Sequence, residues 1–183
     1  MELSWVTVDT PLPSGAMKFG VTANGVAAAT YAGAVFAGKP VGVPECGDTR
    51  ARALVEARVG EYFAGRRREL GLPIDWRYAT GPHLTVLRCL FTEVEYGKAI
   101  TYGELAARSG VFEDLSGPGL PARTVGQMMG ANPLPLLVPC HRVVAADGLG
   151  GFGGAWHGVE TKRWLLTLEG VLPPTLDWDG PAD

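Results

Sequence analysis

Residues 132–144 read Asn-Pro-Leu-Pro-Leu-Leu-Val-Pro-Cys-His-Arg-Val-Val, and this stretch decides the organisation of the second half of the chain. Its three prolines fix the backbone torsion φ, so we expect an extended path that carries Cys140 into a semi-buried site. Successive side chains of an extended segment point to opposite faces, so His141 should reach the Cys140 thiol through a water or a bend. A histidine held there can leave a thiolate ready for attack. A buried cysteine can equally be a small packing residue.

Apolar periodicity predicts three helices around this stretch. The first has an apolar stripe and ends at Gly97; the stripe consists of Leu84, Leu87, Leu90, Phe91 and Val94. Thr101 and Glu104 have the spacing of a capping box and begin a short helix through Arg108. Residues 121–129 form the third helix, which Gly130 ends. The last two helices fit either a helix-turn-helix or an ordinary helical hairpin.

The first half of the chain predicts a hairpin followed by a helix. Residues 17–22 and 26–31 flank Asn24-Gly25, a dipeptide favoured where a type I′ turn needs positive φ at two positions. From residue 48 to 70 the apolar period changes to that of an amphipathic helix, which Gly71 should end.

Glycine and proline at residues 80–82 mark the predicted domain boundary. Residues 73–78 are a candidate strand just before it. We therefore expect an N-terminal domain at 1–81, a C-terminal domain at 82–170 and an acidic, proline-containing tail at 171–183.

Composition narrows the classes of function. The 183 residues include 16 Lys and Arg against 19 Asp and Glu, a formal charge of −3, so any contact with DNA must be compact. No apolar run approaches the roughly 18 residues that a membrane span needs. The first twenty residues lack the features of a secretory signal, and three cysteines make no disulfide framework. We expect a cytoplasmic protein without membrane contact.

Four motifs in order carry a resemblance to a known family. Pro-Cys-His-Arg-Val-Val at 139–144 is preceded by Arg-Thr-Val-Gly at 123–126 and Asn-Pro at 132–133, and followed by Trp-Leu-Leu-Thr-Leu-Glu-Gly at 164–170. Together they resemble the O6-alkylguanine-DNA alkyltransferases over most of residues 82–170. The resemblance implies an α/β (α+β) protein with a ribonuclease H-like N-terminal domain. The C-terminal domain is expected to be winged-helix-like and to contain a helix-turn-helix.

The resemblance also implies a single-turnover repair reaction. Cys140 aligns with the residue that accepts an alkyl group from guanine O6, and with less efficiency from thymine O4. His141 resembles the base that takes the thiol proton through a water, and Glu169 the carboxylate that orients it. Tyr102 resembles the phenol that protonates the leaving guanine. Asn132 resembles the asparagine that braces the active-site turn.

The partner implied by the family is double-stranded DNA carrying O6-alkylguanine, bound by a monomer through the minor groove. Arg123 matches an arginine that fills the stack when the base is flipped out, and Thr124, Gly126 and Gln127 lie on the same predicted recognition helix. The residues that resemble the flipped-base pocket are Met129, Pro135, Val143, Phe152 and Gly153.

Some features depart from the family pattern. The loop at 110–120 is longer than in most relatives, a few residues at 156–158 are inserted, and Phe152 stands where tyrosine is common. We expect no cofactor and no metal, since His83, Cys46 and Cys89 lack a four-ligand spacing. Two rival functions remain. One is a non-enzymatic lesion-binding protein, a class that replaces the acceptor cysteine, and the other is a cysteine hydrolase using Cys140 and His141.

Overall fold

The computed structural model describes residues 2–32, 42–113, 119–152, 158–176, 178 and 180–181. Within these ranges the elements follow in chain order as β1 (Ser4–Val8), β2 (Met17–Thr22), β3 (Gly25–Tyr31), α1 (Thr49–Phe63), α2 (Gly81–Glu93), β4 (Ile100–Thr101), α3 (Tyr102–Ser109), α4 (Leu120–Gly130), β5 (Val143–Val144) and α5 (Gly158–Leu168). The predicted mixed α/β class is confirmed.

The first three strands form an antiparallel sheet in the order β1-β2-β3. The predicted hairpin is confirmed, but its turn differs from the type I′ prediction. Thr22 pairs with Gly25, and Gly25, with a φ of +127°, follows the turn. Asn24 is not among the described residues with positive φ. The Pro73 carbonyl lies so close to Gly25 that a Cβ there would collide with it, which explains the glycine.

Helix α1 begins after Asp48, whose carboxylate accepts hydrogen bonds from the backbone N–H groups of Arg50 and Ala51. It ends at Phe63, so the prediction that it continues to residue 70 is wrong. Gly65 adopts a left-handed φ of +68°, and the Arg66 N–H donates to the Glu61 carbonyl at 2.9 Å. This is the closure expected when a glycine follows a helix. The buried side of α1 consists of Val55, Val59, Tyr62 and Phe63.

The strand predicted at residues 73–78 is also wrong. Ile74 makes a single bridge to Val26, and residues Trp76–Tyr78 form a turn of 3-10 helix. The reason is Asp75, whose carboxylate accepts from the Arg77 backbone N–H and turns the chain. The same carboxylate accepts from the Thr22 hydroxyl at 2.8 Å, which ties this segment to β2.

Helices α2, α3 and α4 pack together in the second half. The predicted capping box of α3 is confirmed, with Thr101 and Glu104 each accepting from the other's backbone N–H. Helix α2 ends at Glu93, before the predicted stop at Gly97, because Val94 already has an extended backbone. The connection between α3 and α4 spans residues 110–119, of which 114–118 lie outside the described part. No helix in the described ranges is both long and apolar enough to span a membrane.

A cluster of buried apolar residues extends from β1 to α5 and joins the two halves of the sequence. The Ala29 N–H of β3 donates to the Pro133 carbonyl at 2.8 Å. The rings of Phe63 and Trp164 lie 5.8 Å apart. The segment around residues 132–144 is therefore held from both halves of the chain.

Candidate active site

Asn132 shapes the loop that precedes Cys140. Its side-chain oxygen accepts from the Leu134 N–H at 3.0 Å, and its amide nitrogen donates to the Val138 carbonyl at 3.0 Å. The Val138 N–H donates to the Leu134 carbonyl at 2.8 Å. Leu136 is forced to a φ of 74°, a left-handed conformation that costs a leucine about 1 kcal/mol or more. The loop is therefore a closed turn, and the predicted extended path is wrong.

The chain then forms one turn of 3-10 helix over Cys140–Arg142, all three residues being buried. Because the segment is helical, the predicted alternation of Cys140 and His141 between opposite faces does not apply. Burial raises the pKa of the Cys140 thiol, while a hydrogen bond from Asn132 and the charge of Lys162 oppose that rise. The resting residue is a protonated thiol.

Glu169 is the centre of a buried hydrogen-bond network. Its Oε1 lies 2.8 Å from His141 Nε2 and accepts from the Tyr62 hydroxyl at 2.6 Å. Arg142 donates through Nε to Oε2 at 2.8 Å and through Nη2 to Oε1 at 3.0 Å. Burial alone would raise the pKa of Glu169, but His141 and Arg142 outweigh it and hold that pKa well below its usual range. The carboxylate is an anion that only accepts.

This network fixes the protonation pattern of His141. Because the Glu169 anion only accepts, Nε2 must carry the proton in that bond, and Nδ1 is the basic nitrogen of the neutral ring. Burial lowers the pKa of His141, although Glu169 opposes this shift. The neutral ring is thus able to accept a proton at Nδ1. The structure places the predicted pair His141 and Glu169 in direct contact.

Tyr102 begins α3 and its hydroxyl donates to the Gly151 carbonyl at 3.2 Å. Partial burial raises the pKa of this phenol, and a thiolate at Cys140 raises it further. Gly150 has a φ of +70°, and a Cβ there would lie 3.0 Å from Tyr102 Cε2. The backbone at residues 150–151 therefore packs directly on the tyrosine, as close backbone approach requires.

Lys162 of α5 is a site residue that the sequence prediction missed. Its fully buried Nζ donates to the Val143 carbonyl at 2.6 Å, to the Gly151 carbonyl at 3.2 Å and to the Tyr102 hydroxyl at 3.5 Å. Burial lowers its pKa to about 8, against the opposing effect of Cys140. The sequence contains a sign of this burial: Lys162 stands four residues after Gly158 and three before Leu165, and both of these residues are buried on α5.

A cavity of about 710 Å³ opens above Cys140. Of the predicted residues, Tyr102, Arg123, Gly126, Met129, Cys140 and Phe152 line it. Pro135 and Val143 are buried and, among the described residues, are not part of its wall. Val143 pairs with Ile100 in the β4-β5 sheet. In this position the Val143 carbonyl accepts from Lys162, and the Val143 side chain lies in the core. Gly153 lies outside the described residues.

The predicted recognition helix α4 lies along one wall of the cavity. Arg123 and Gln127 are exposed, whereas Thr124 is half-buried and donates to the Leu120 carbonyl at 3.0 Å. Neither Thr124 nor Gln127 lines the described cavity wall. Among the described residues, no group of three or more His, Cys, Asp or Glu side chains is placed to hold a metal ion.

Residues 84–171 match the model of the 6-O-methylguanine DNA methyltransferase DNA-binding domain. These residues, just under half of the chain, belong to this methyltransferase family. It is 46% identical over 84 residues to a methylated-DNA–protein-cysteine methyltransferase of Methanopyrus kandleri, covering 46% of this chain and 55% of that protein. It is 40% identical over 121 residues to one of Mycolicibacterium paratuberculosis, covering 66% of each. The chain thus aligns with between half and two thirds of these methyltransferases.

Solved methyltransferases extend the similarity to the whole fold. A Mycobacterium tuberculosis OGT crystallised in complex with DNA has a TM-score of 0.75 and 29% identity, covering 91% of this chain and 93% of that one. A Pyrococcus kodakaraensis O6-methylguanine-DNA methyltransferase has a TM-score of 0.60 and 26% identity, covering 92% and 99%. The family predicted from the Pro-Cys-His-Arg motif is confirmed.

Proposed function

We propose that this protein repairs DNA by moving a methyl or larger alkyl group from guanine O6, or less efficiently from thymine O4, to the Cys140 sulfur. The observation that carries the proposal is the position of the Cys140 thiol. Cys140 lies on the wall of a cavity of about 710 Å³ and directly precedes His141, which pairs with Glu169. That volume is within the roughly 300–1,000 Å³ typical of sites for small ligands such as a single base.

The first step is the loss of the thiol proton. The S–H bond of Cys140 breaks and the proton reaches His141 Nδ1 through a water, leaving a thiolate and an imidazolium. Glu169 remains an anion and stabilises the imidazolium through Nε2. The positive charge of Lys162 and the Asn132 amide favour the thiolate, since both lower the pKa of Cys140.

The second step is the transfer itself. A sulfur–carbon bond forms while the carbon–O6 bond breaks, and the electron pair of that bond leaves with guanine. Tyr102 donates its hydroxyl proton to the departing base, because a guanine anion is a poor leaving group. The Lys162 ammonium, 3.5 Å from that oxygen, stabilises the charge left on it. The thioether is stable, so each chain acts once.

Access to O6 requires the nucleotide to rotate out of the helix. Arg123 is exposed, near the start of α4, and also lines the cavity, which suits a side chain that fills the vacated stack. We propose that α3 and α4 are the helix-turn-helix of a winged-helix-like domain at 82–170, with a ribonuclease H-like domain at 1–81. In this arrangement a monomer presents Thr124, Gly126 and Gln127 to the minor groove.

The decisive experiment is the intact mass of the protein after incubation with excess duplex containing O6-methylguanine. We expect one added methyl group per chain, and peptide mapping should locate it on Cys140. Cys140→Ser should still bind the duplex but gain no methyl, because a hydroxyl is a far weaker nucleophile than an activated thiol.

Cys89→Ser is the matched control, since Cys89 is half-buried and does not line the described cavity wall. It should react as the wild type does. A methyl group found on Cys46 or Cys89, or turnover without a lasting adduct as a cysteine hydrolase would show, would refute the proposed function.

A further inference from the structure

Tyr62 joins the first half of the chain to the reaction site. It lies in the last turn of α1, is 2% exposed, and donates its hydroxyl to Glu169 Oε1 at 2.6 Å across 107 residues of sequence. Its ring stands edge-on to Phe63 at 5.4 Å and to Tyr96 at 6.1 Å. These contacts fix the ring, so the hydroxyl is held in the direction of the carboxylate.

The Tyr62 hydroxyl and His141 share one oxygen atom. Glu169 Oε1 accepts from Tyr62, from His141 Nε2 at 2.8 Å and from Arg142 Nη2 at 3.0 Å. Arg142 already fixes the orientation of the carboxylate, because its Nε also donates to Oε2 at 2.8 Å. The distinct effect of Tyr62 is therefore on the charge that Oε1 offers to the imidazole.

We propose that Tyr62 is a positioning residue for alkyl transfer, acting through Glu169 to limit how strongly the His141 imidazole holds a proton. The inference rests on the proposed function, because it concerns the residue that accepts the Cys140 proton. A donor to the carboxylate spreads its negative charge and makes it less basic. The Nε2 proton then stays on the imidazole instead of passing to Glu169. The ring takes up a second proton, at Nδ1, only at a lower pH than it otherwise would.

Other side chains around His141 and Glu169 also affect the pKa of His141. The charged and titratable side chains that interact with His141 or Glu169 in the described structure are Arg142, Lys162, Tyr62, Tyr96 and Tyr31. Arg142 and Lys162 carry positive charge and oppose protonation of His141. Tyr96 donates to the Leu168 carbonyl at 3.0 Å and not to Glu169.

Tyr62→Phe removes the hydroxyl while keeping the ring. Glu169 then stabilises an imidazolium at position 141 more strongly. The pH below which His141 is protonated should therefore rise by about 0.5 to 1 unit. This is a fraction of the pKa shift that a hydrogen bond to a charged group produces, because Tyr62 acts on His141 only through Glu169. The rate of single-turnover transfer should fall by about three- to tenfold on the acid side of its pH profile. At alkaline pH, where His141 is neutral in both proteins, the rate should approach that of the wild type.

Tyr96→Phe is the matched control, because it removes a neighbouring half-buried hydroxyl that donates to the Leu168 carbonyl and not to Glu169. Its pH profile should follow that of the wild type. As a second variant we would place 3-fluorotyrosine at position 62, which keeps the hydroxyl and makes it a stronger donor. It should shift the acid limb to lower pH, opposite to phenylalanine. The titration of His141, followed by nitrogen-15 NMR, should move in the same directions.

The outcomes separate the two proposals. Wild-type protein that forms no adduct on Cys140 would refute the proposed function. Wild-type protein that forms the adduct, with the same acid limb in both Tyr62 variants and in Tyr96→Phe, would refute only the role of Tyr62. If Tyr62→Phe fails to fold, the 3-fluorotyrosine protein tests the inference by itself. An acid limb that stays where it is in the wild type, or moves to higher pH, would contradict the inference.

Discussion

Replacing Lys162 with methionine should slow transfer strongly while leaving the fold intact. Methionine has a similar length but no charge and no donor. The change removes the cation that lowers the pKa of Cys140 and that donates to the Tyr102 hydroxyl at 3.5 Å. Because one nearby charge shifts a pKa by about 1 unit or more, the thiolate becomes at least roughly tenfold harder to form. We therefore expect single-turnover transfer to fall by about tenfold or more.

The stability of the Lys162→Met variant follows from two opposing effects. Burial lowers the Lys162 pKa from 10.5 to about 8. This shift of roughly 2.5 units means that the buried charge destabilises the folded wild type by about 3 kcal/mol at neutral pH. Methionine removes that cost. It also leaves the Val143 and Gly151 carbonyls without this donor, at roughly 1–3 kcal/mol each. The unfolding free energy at pH 7 should therefore change by no more than about 3 kcal/mol.

The pH dependence of stability has a definite sign. Since the folded pKa of Lys162 is lower than the unfolded value, the unfolded chain binds more protons between about pH 8 and 10.5. The wild type should gain stability relative to the methionine variant as the pH rises through this window. Denaturant unfolding at pH 7 and pH 9.5 measures that difference.

Arg163→Met is the matched control, because Arg163 is an exposed cation on the same helix. It should change neither the transfer rate nor the pH dependence of stability. A folded Lys162→Met protein that transfers the methyl group at the wild-type rate would refute the reasoning about Cys140. A stability difference that does not vary with pH would refute the lowered pKa.

Two further predictions concern the leaving group and the flipped base. Tyr102→Phe should slow transfer by roughly 10²-fold or more with little change in duplex affinity, and a wild-type rate in single-turnover assays would mean that another group protonates the base. Arg123→Ala should strongly reduce repair of alkylated duplex but reduce reaction with free O6-benzylguanine much less, because the free base needs no flipping. Equal losses on both substrates would contradict that role, and a modest loss on duplex that shrinks at low salt would indicate a phosphate contact.

Features that depend on neighbouring residues were predictable from the sequence. The capping box of Thr101 and Glu104 forms as expected. The hairpin of β2 and β3 also forms, although its turn is not the predicted type I′ turn at Asn24-Gly25. The Pro-Cys-His-Arg motif identified the cysteine and histidine, and its resemblance to a family supplied the distant Glu169. Spacing alone would have left Glu169 as a solvated residue at a helix end.

Features that depend on side-chain contacts were not predictable. Gly65 and Gly71 both have positive φ, so the sequence offers two places for α1 to end, and the helix ends just before the first of them. The prolines before Cys140 predicted an extended path, whereas hydrogen bonds of the Asn132 side chain close that segment into a turn, and only the resemblance to the family pointed to this asparagine. Tyr62 carries no local sign of its contact with Glu169, because the two residues lie 107 positions apart.

In the proposed function Cys140 reacts only once, and the charges around it explain how it is kept available until then. Burial raises the pKa of the thiol and lowers that of His141, so the resting pair is neutral and contains little thiolate. Because the thiolate is the form that small oxidants attack, this arrangement protects the sulfur before the proposed transfer. The thiolate then forms only with an imidazolium beside it. Glu169 and Lys162 stabilise the two members of that ion pair, and their burial makes this stabilisation stronger than it would be in water.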